Sequence, residues 1–316
     1  MPAPGSTVRK DIPAASGAKT AWWKQVLPPP RRLPLHAAVI ALAVLWSVPT
    51  IALLVSSFRE PAAISVSGWW NALTNPWQFT LSNYDTVLQN RGMGRAFLNT
   101  VILTVPSTVL VILVAALAAY AFAWMQFPAR NVLFLFVVAL LVVPLQMTLI
   151  PVLRLYTELR VDVELPLLGG SLFGVNSFAG MWLAHTAYGL PFAVFLLRNF
   201  FGSLPRDLFE SAYLDGASDL QVFTRIVLPL AAPAIAALAI FQFLWVWNDL
   251  LVALVLLGDP ALFPMTVQIQ SLVSSFGQNY QVLTAAAFVS MAVPLLVFFL
   301  LQRYIVQGIL AGAVKG

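Results

Sequence analysis

The stretch Glu210–Pro229 reads "ESAYLDGASDLQVFTRIVLP" and lies between two long apolar runs. It carries acidic residues and an Asp-Gly turn in a chain of which only 9% is charged. Charged groups are costly inside a bilayer, so this segment is predicted to lie outside the lipid. Its neighbours on both sides are predicted to cross the lipid.

Local signals divide this polar segment into two short helices. Ser203 is predicted to cap a first helix that begins at Leu204-Pro205, because proline suits the first helical turn. Asp215-Gly216 ends it, because glycine adopts the left-handed conformation without strain. Ser218 and Gln221 fit a capping box, so a second helix follows at once. The apolar stripe predicted for the two helices consists of Leu208, Phe209, Ala212, Tyr213, Leu220, Phe223 and Val227.

The apolar stripe of this helix pair needs a cover. Either the helices rest on their own bundle, or they insert into a groove of a partner. A DNA-binding helix-turn-helix is disfavoured, because both ends of the segment are tied within a few residues to membrane spans. No nucleic-acid partner is therefore predicted.

Composition places the whole chain in lipid. Hydrophobic residues make up 60% of its 316 residues, and the mean hydropathy is +0.87. Soluble domains are about half apolar and about a quarter charged, so this chain has too few polar groups to cover a water-facing surface. The sequence contains no cysteine, which excludes disulfides and cysteine-ligated metals.

Six apolar stretches reach the length of about 20 residues that a helix needs to cross the hydrocarbon core. The prediction is an all-α integral membrane protein, with a mobile basic tail over 1–33 and a six-span domain over 34–316. The six predicted spans are 35–57, 97–123, 131–154, 178–200, 231–257 and 283–305. The spans contain several prolines, which either reflect ordinary membrane frequency or bend the helices around a pathway.

The distribution of basic residues predicts the orientation. With the N-terminus inside, six basic residues of the tail and six elsewhere are cytoplasmic, which is 12 of the 17. Both termini and the loop 201–230 are then cytoplasmic, and 58–96, 155–177 and 258–282 face outward. A signal peptide is disfavoured, because the basic tail is long and no small-residue cleavage site closes the first apolar run.

Few residues have the pattern of a chemical site. The nearest approach to a phosphate-binding loop, Gly17-Ala18-Lys19-Thr20, breaks the Gly-Lys adjacency that the motif needs. No catalytic, metal or cofactor site is predicted, and the chain is not expected to be an enzyme. His185 is either a proton relay or an interhelical hydrogen-bonding group. Asn248 and Asp249 form a polar pair within the fifth span, either as a pathway or substrate contact or as a structural bond.

The opening stretch also resembles a known motif. Glu210-Ser211-Ala212, Gly216, Ile226 and Leu228-Pro229 match the pattern E-A-A-x3-G-x9-I-x-L-P of the coupling loop in bacterial ATP-binding-cassette importer permeases, with Ser211 in place of the second alanine. In that family the loop docks into a cleft of the ATPase subunit. The coupling residues that the resemblance implies are Glu210, Ser211, Ala212, Asp215, Gly216, Ala217, Ile226, Leu228 and Pro229.

Three further stretches resemble the carbohydrate branch of these permeases. They are "LRNFFGSLPRDL" (197–208), "WND" (247–249) and "GILAGAVKG" (308–316), the last being similar to the closing tail of the second permease subunit of maltose-type importers. The C-terminal tail 306–316 is then expected to reach the ATPases through Gly312, Lys315 and Gly316, with flexibility from Gly308. The loop 258–282 either contacts a sugar-binding protein or is an ordinary surface loop.

The resemblance implies an assembly in the bacterial inner membrane. Its members would be this chain, a second homologous permease, two ATPase subunits and an extracytoplasmic sugar-binding protein. ATP and magnesium would bind the ATPases, and this chain would need no cofactor. The expected substrate is an oligosaccharide or disaccharide, and in maltose-type relatives it lies mainly on the other permease.

Two rival functions follow from other features. A proton-driven secondary transporter would use Asp249 and His185, but such folds often show internal repeats, and none is visible here. A membrane-embedded hydrolase would need a nucleophile and a base at readable spacing, which the sequence lacks.

Overall fold

The computed structural model describes residues 32–90, 92–158, 161–164, 171–273 and 280–313. The described residues divide into two compact units, with the division between Ala52 and Leu53. The α-helices are α1 (Leu33–Ser57), α2 (Pro61–Val66), α3 (Ser82–Asp85), α4 (Met93–Trp124), α5 (Arg130–Ala139), α6 (Leu145–Glu158), α7 (Phe178–Gly202), α8 (Arg206–Leu214), α9 (Asp219–Val222), α10 (Leu228–Leu230), α11 (Ala232–Trp247), α12 (Leu251–Leu256), α13 (Met265–Val273) and α14 (Tyr280–Ala313). Single 3-10 or π turns occupy Trp69–Leu73, Pro76–Gln78, Thr86–Asn90, Leu140–Val142, Phe223–Val227 and Pro260–Leu262.

Long apolar helices dominate the described residues, and the predicted all-α membrane fold class is confirmed. Four helices are long and apolar enough to cross a membrane, and the number rises to six if each of two bent helix pairs is one span. The four are Leu33–Ser57, Met93–Trp124, Phe178–Gly202 and Tyr280–Gln302.

The third predicted span, 131–154, is not a continuous helix. α5 continues into a 3-10 turn over Leu140–Val142, and the axis of α6 lies at 105° to the axis of this first segment. The break falls at Val143, whose ψ of 116° is extended rather than helical. Pro144 follows it, and proline disfavours the helical conformation in the residue before it.

The fifth predicted span, 231–257, is also divided. α11 has 16 residues and ends at Trp247, and the chain resumes helix only at Leu251. The side-chain amide of Asn248 donates to the Leu244 carbonyl at 2.7 Å, so it satisfies a terminal carbonyl of α11. Asp249 is therefore in a break between two helices, and the prediction that it lies inside one continuous helix was wrong.

The segment predicted to face outward over 155–177 contains a short antiparallel strand pair. β1 (Val161–Glu164) pairs with β2 (Ser171–Phe173), with Val161 opposite Phe173 and Glu164 opposite Ser171. The sequence analysis predicted no strands.

Small residues bring α4 and α7 into close contact at the centre of the second unit. Ala115 and Ala119 of α4 and Ala193 of α7 are completely buried. Membrane helices pack closely where such residues let their backbones approach. This packing positions α7, from whose C-terminal end the polar segment continues.

Candidate functional site

The turn between α8 and α9 closes the first helix of the polar segment. The Ala217 amide donates to the Ala212 carbonyl at 3.0 Å, and the Gly216 amide donates to the Tyr213 carbonyl at 3.0 Å. These two bonds form a Schellman motif. Gly216 has φ +81°, as its predicted role requires, and a Cβ at this position would meet no atom within 4 Å. The need for glycine therefore comes from the backbone conformation and not from crowding.

The second helix of the segment starts with the predicted capping box. The Ser218 amide donates to Gln221 Oε1 at 2.8 Å, and the Gln221 amide donates to Ser218 Oγ at 3.4 Å. Ser203, however, does not cap the first helix. Its hydroxyl donates to the Phe200 carbonyl at the end of α7, and α8 begins later, at Arg206.

A hydrogen bond braces the two helices against each other. The Tyr213 hydroxyl on α8 donates to Asp219 Oδ1 on α9 at 2.7 Å. Partial desolvation raises the pKa of the Tyr213 hydroxyl, although 44% of the residue is exposed, and its hydrogen bonds with Tyr120 and Asp219 raise it further. The hydroxyl therefore keeps its proton and remains a donor at neutral pH.

One face of the helix pair packs on the membrane bundle. Phe209, Ala212, Phe223 and Val227 are buried as predicted, and Val222, which the predicted stripe omitted, is completely buried. The other three members of the predicted stripe are exposed, so the bundle covers only part of the stripe and the alternative of a partner's groove stays open for the rest. They are Leu208, Tyr213 and Leu220.

Aromatic stacking fixes this buried face to α4. The rings of Trp124 and Phe209 lie 3.5 Å apart at an interplanar angle of 18°. The Trp124 indole also donates to the carbonyl of Phe201 at 3.0 Å, which joins the last turns of α4 and α7. α8 is therefore in direct contact with α4, whose last turn is hydrogen-bonded to that of α7.

The opposite face of the helix pair is exposed. Leu214 and Leu220 are 88% and 68% exposed. Glu210, Ser211 and Asp215 are also exposed. Beside them lies an open hollow of about 400 Å³, lined by Ala212, Asp215, Gly216, Ala217, Gln221, Val222, Arg225 and Ile226. Leu228 is half-buried, and Pro229 is exposed.

A second group of polar residues lies within the membrane helices, where Trp247, Asn248 and Asp249 point in three directions. The Trp247 side chain is buried, and its indole donates to the Ser290 carbonyl on α14 at 3.1 Å. Asn248 is exposed and lines an open hollow of about 470 Å³. Asp249 accepts hydrogen bonds from the amides of Val252 and Ala253, so it caps α12.

The Asp249 carboxylate also contacts the buried imidazole of His185. His185 Nε2 lies 3.4 Å from Asp249 Oδ2, and the two side chains are 1% and 11% exposed. His185 Nδ1 lies 2.9 Å from the Met181 carbonyl. A carbonyl oxygen only accepts, so Nδ1 carries the proton of that bond. His185 and Asp249, each of which had two alternative roles in the sequence analysis, are thus in contact. The sequence around His185 contains no nearby acid that would have indicated this.

Sequence reasoning missed a polar residue on α11, about two helical turns before Asp249. Gln242 on α11 is only 5% exposed, and its Nε2 has no hydrogen-bond partner within the described part of the chain. It lies against Gly189 of α7, where a Cβ would approach the Gln242 amide nitrogen to 2.7 Å. A glutamine within the apolar run of α11 was the available signal.

The implied C-terminal contacts are described only in part. α14 extends to Ala313, so Gly308 and Gly312 are in a helix and not in the flexible tail that was predicted. Lys315 and Gly316 lie outside the described residues, as do residues 1–31 of the basic tail.

Comparisons with known proteins agree with this architecture. The family model described as binding-protein-dependent transport system inner membrane component matches residues 95–311. The chain is 52% identical to the osmoprotective compounds uptake permease protein GgtD of Synechocystis sp., over 94% of each chain. It is 41% identical to the alpha-glucoside transport system permease protein AglG of Rhizobium meliloti, over 91% of this chain and 99% of that protein.

A solved structure shares the fold. It is a bacterial alginate ABC transporter in complex with an alginate pentasaccharide-bound periplasmic protein. The TM-score is 0.57 at 19% identity, covering 89% of this chain and 96% of the other. The family match and the two relatives together show that this chain belongs to the binding-protein-dependent transport system inner membrane component family.

Proposed function

We propose that the chain is the permease subunit of an ATP-binding-cassette importer for a sugar of disaccharide or oligosaccharide size. It would form half of the translocation pathway and bind a separate ATPase through the loop 201–230. Its partners would be a second homologous permease, two ATPases and an extracytoplasmic sugar-binding protein. ATP and magnesium would bind only the ATPases.

The observation that supports the docking role is that one face of the helix pair is buried while the opposite face is exposed. Phe209 and Val227 attach one face to the bundle, while Leu214 and Leu220 leave an apolar face uncovered. Burying a leucine side chain contributes about 1.5–3 kcal/mol, so these two residues supply a useful part of a docking energy. Glu210 stands on the same helix as Leu214 and would face a basic residue of the ATPase.

Rigidity makes the helix pair suited to transmit movement. The Schellman turn at Gly216, the capping box at Ser218 and the Tyr213–Asp219 hydrogen bond fix the two helices relative to each other. The Trp124–Phe209 stack then links them to α4. Closure of the ATPases would thus move α4 and α7, which alternates the access of the pathway.

The substrate class is inferred from the relatives. The name of one relative specifies alpha-glucosides, and that of another specifies osmoprotective compounds. Neutral di- and oligosaccharides are therefore the first substrates to test, followed by small polyhydroxylated osmolytes. The solved alginate transporter contains a periplasmic protein, which supports the proposed binding-protein partner.

The proposed orientation places both termini and the helix pair in the cytoplasm, where an ATPase has access to ATP. It rests on the excess of basic residues in those segments. The proton-driven alternative is not favoured, because the chain belongs to a family of binding-protein-dependent systems. His185 and Asp249 are then a structural pair that joins α7 to the break before α12.

Site-directed cross-linking tests the docking role. The chain contains no cysteine, so Leu214→Cys introduces a single thiol on the exposed face. In membranes that contain the co-expressed ATPase, a short thiol-to-amine cross-linker is expected to join the two proteins. Leu73→Cys, at a residue 69% exposed in the segment proposed to face outward, is the control. Equal cross-linking of both variants, or none of Leu214→Cys, contradicts the proposal.

A further inference from the structure

A cavity of about 280 Å³ lies between α7 and α11, outside the helix pair discussed above. Its lining consists of Tyr188, Gly189, Phe192, Phe241, Gln242 and Trp245. Four of these six residues are aromatic, and the others are a glycine and the buried glutamine. Aromatic walls with one polar group are typical of sites that hold a small organic molecule.

The lining residues Phe192 and Phe241 are 44% and 47% exposed, whereas Gln242 is buried. Its Nε2 has no partner among the described residues, and the side chain is 95% buried, with 5% exposed. An unpaired amide is costly in hydrocarbon, where no water or lipid tail can bond to it. A hydrogen-bonding group in the cavity that Gln242 lines would therefore stabilise this amide.

The position of the amide is fixed by the surrounding residues. Gly189 leaves room for it, because a Cβ there would approach the amide nitrogen and oxygen to 2.7 and 2.8 Å. Trp245 contacts His185 edge-on, with the two ring centroids 5.7 Å apart. His185 is in turn paired with Asp249. Gln242 and Trp245, which line the cavity from α11, thus both contact residues of α7.

We propose that this cavity is a contact site for one ring of a neutral saccharide on this subunit. The apolar C–H face of a sugar ring fits an aromatic wall, and an amide can both donate to and accept from its hydroxyls. The volume is near the lower end of ligand sites, about 300 Å³, which suits one ring and not a whole oligosaccharide.

The lining also determines which sugars are accepted. None of the six lining residues carries a charge, so the cavity has no cation to pair with a sugar carboxylate. Burying an unpaired carboxylate is strongly unfavourable. The site therefore favours neutral sugars over uronic acids. This inference rests on the proposed function, because it needs a sugar in the pathway.

Transport per ATP hydrolysed tests this site. The complete complex, with its second permease, ATPases and binding protein, is reconstituted in proteoliposomes and offered neutral probes, maltose, maltotriose and raffinose, and the acidic probe trigalacturonate. Gln242→Leu and Phe192→Leu are expected to lower neutral-sugar uptake at least tenfold. Stimulation of ATP hydrolysis by the binding protein should persist, because the docking loop is intact.

Two controls make the result specific. Phe195→Leu removes an aromatic ring from the same helix, at a residue 38% exposed compared with 44% for Phe192, and outside the cavity. It should transport like the unaltered complex. Gly189→Ala, which displaces the amide without removing it, should reduce uptake as Gln242→Leu does.

The outcomes separate this inference from the proposed function. Normal uptake by the Gln242, Phe192 and Gly189 variants overturns the site while leaving the importer intact. Uptake of trigalacturonate equal to that of the neutral probes overturns the selectivity for neutral sugars. An unaltered complex that takes up no probe and shows no binding-protein-stimulated hydrolysis contradicts both proposals.

Discussion

His185 Nε2 lies 3.4 Å from Asp249 Oδ2, and this contact joins the N-terminal half of α7 to the break between α11 and α12. Since His185 Nδ1 donates to the Met181 carbonyl, Nε2 faces the carboxylate. A distance of 3.4 Å is longer than an ordinary N–H···O hydrogen bond, so the pair is a close contact between two helical segments.

Substitution of Asp249 distinguishes a structural link from a proton relay. Asp249→Asn keeps an oxygen for the Val252 amide and, in place of Oδ2, gains an N–H that can donate to His185 Nε2, while the Ala253 amide loses its acceptor. It should retain folding and uptake. Asp249→Ala leaves those amides and His185 without a partner, at a cost of about 1–3 kcal/mol per group. Its melting temperature in detergent should fall clearly. A folded Asp249→Asn variant that has lost all uptake would favour the relay.

Gly216 should be required for its backbone conformation. Gly216→Val forces a β-branched residue to φ +81°, which is strongly disfavoured. We expect normal amounts of the variant in membranes, loss of the ATPase on affinity purification, and no uptake. Gly216→Asn is the matched control, because asparagine tolerates the left-handed conformation and the space around the Cβ is open. Loss of the ATPase in both variants, or in neither, would refute the conformational argument.

Glu210 should contribute charge to the docking surface. Glu210→Ala removes a charge-assisted contact worth about 1.5–3 kcal/mol, which corresponds to roughly a tenfold or greater loss of affinity for the ATPase. Titration of the purified permease complex with the ATPase measures it. The exposed carboxylate of Glu60, in the segment proposed to face outward, provides the control Glu60→Ala. Equal affinities for the two variants would remove Glu210 from the docking surface.

Both termini should be cytoplasmic. A green fluorescent protein fused after Gly316 should fluoresce, because this reporter folds in the cytoplasm but not after export as an unfolded chain. An alkaline phosphatase fused at the same place should be inactive. A phosphatase fusion within the segment 58–96 should be active. The opposite pattern would invert the orientation and place the helix pair away from cytoplasmic ATP.

Local features of this fold were readable from the sequence. The glycine turn at 216 and the Ser218–Gln221 capping box depend only on residues a few positions apart, and both are present. Pro144 was noticed, but its effect depends on whether neighbouring helices satisfy the freed backbone groups. Here the preceding residue, Val143, adopts an extended conformation, and the helix axis bends by 105°.

The membrane site was less accessible to sequence reasoning. Asn248 and Asp249 were selected as a polar pair, yet they point to different surroundings, because the helix ends between Trp247 and Leu251. The His185–Asp249 contact joins residues distant in the chain, which no spacing rule could predict. Gln242 was missed because one amide within an apolar run is common, and its importance comes from the lack of a partner in the folded state.

ATP-dependent uptake in proteoliposomes tests the central claim most directly. The complete complex is reconstituted with ATP on the side of the ATPases, and with the binding protein and a radiolabelled neutral disaccharide on the other side. The account predicts that uptake requires ATP hydrolysis, persists when an uncoupler collapses the proton gradient, and disappears with Gly216→Val. Uptake that proceeds without ATP and stops with the uncoupler would contradict it.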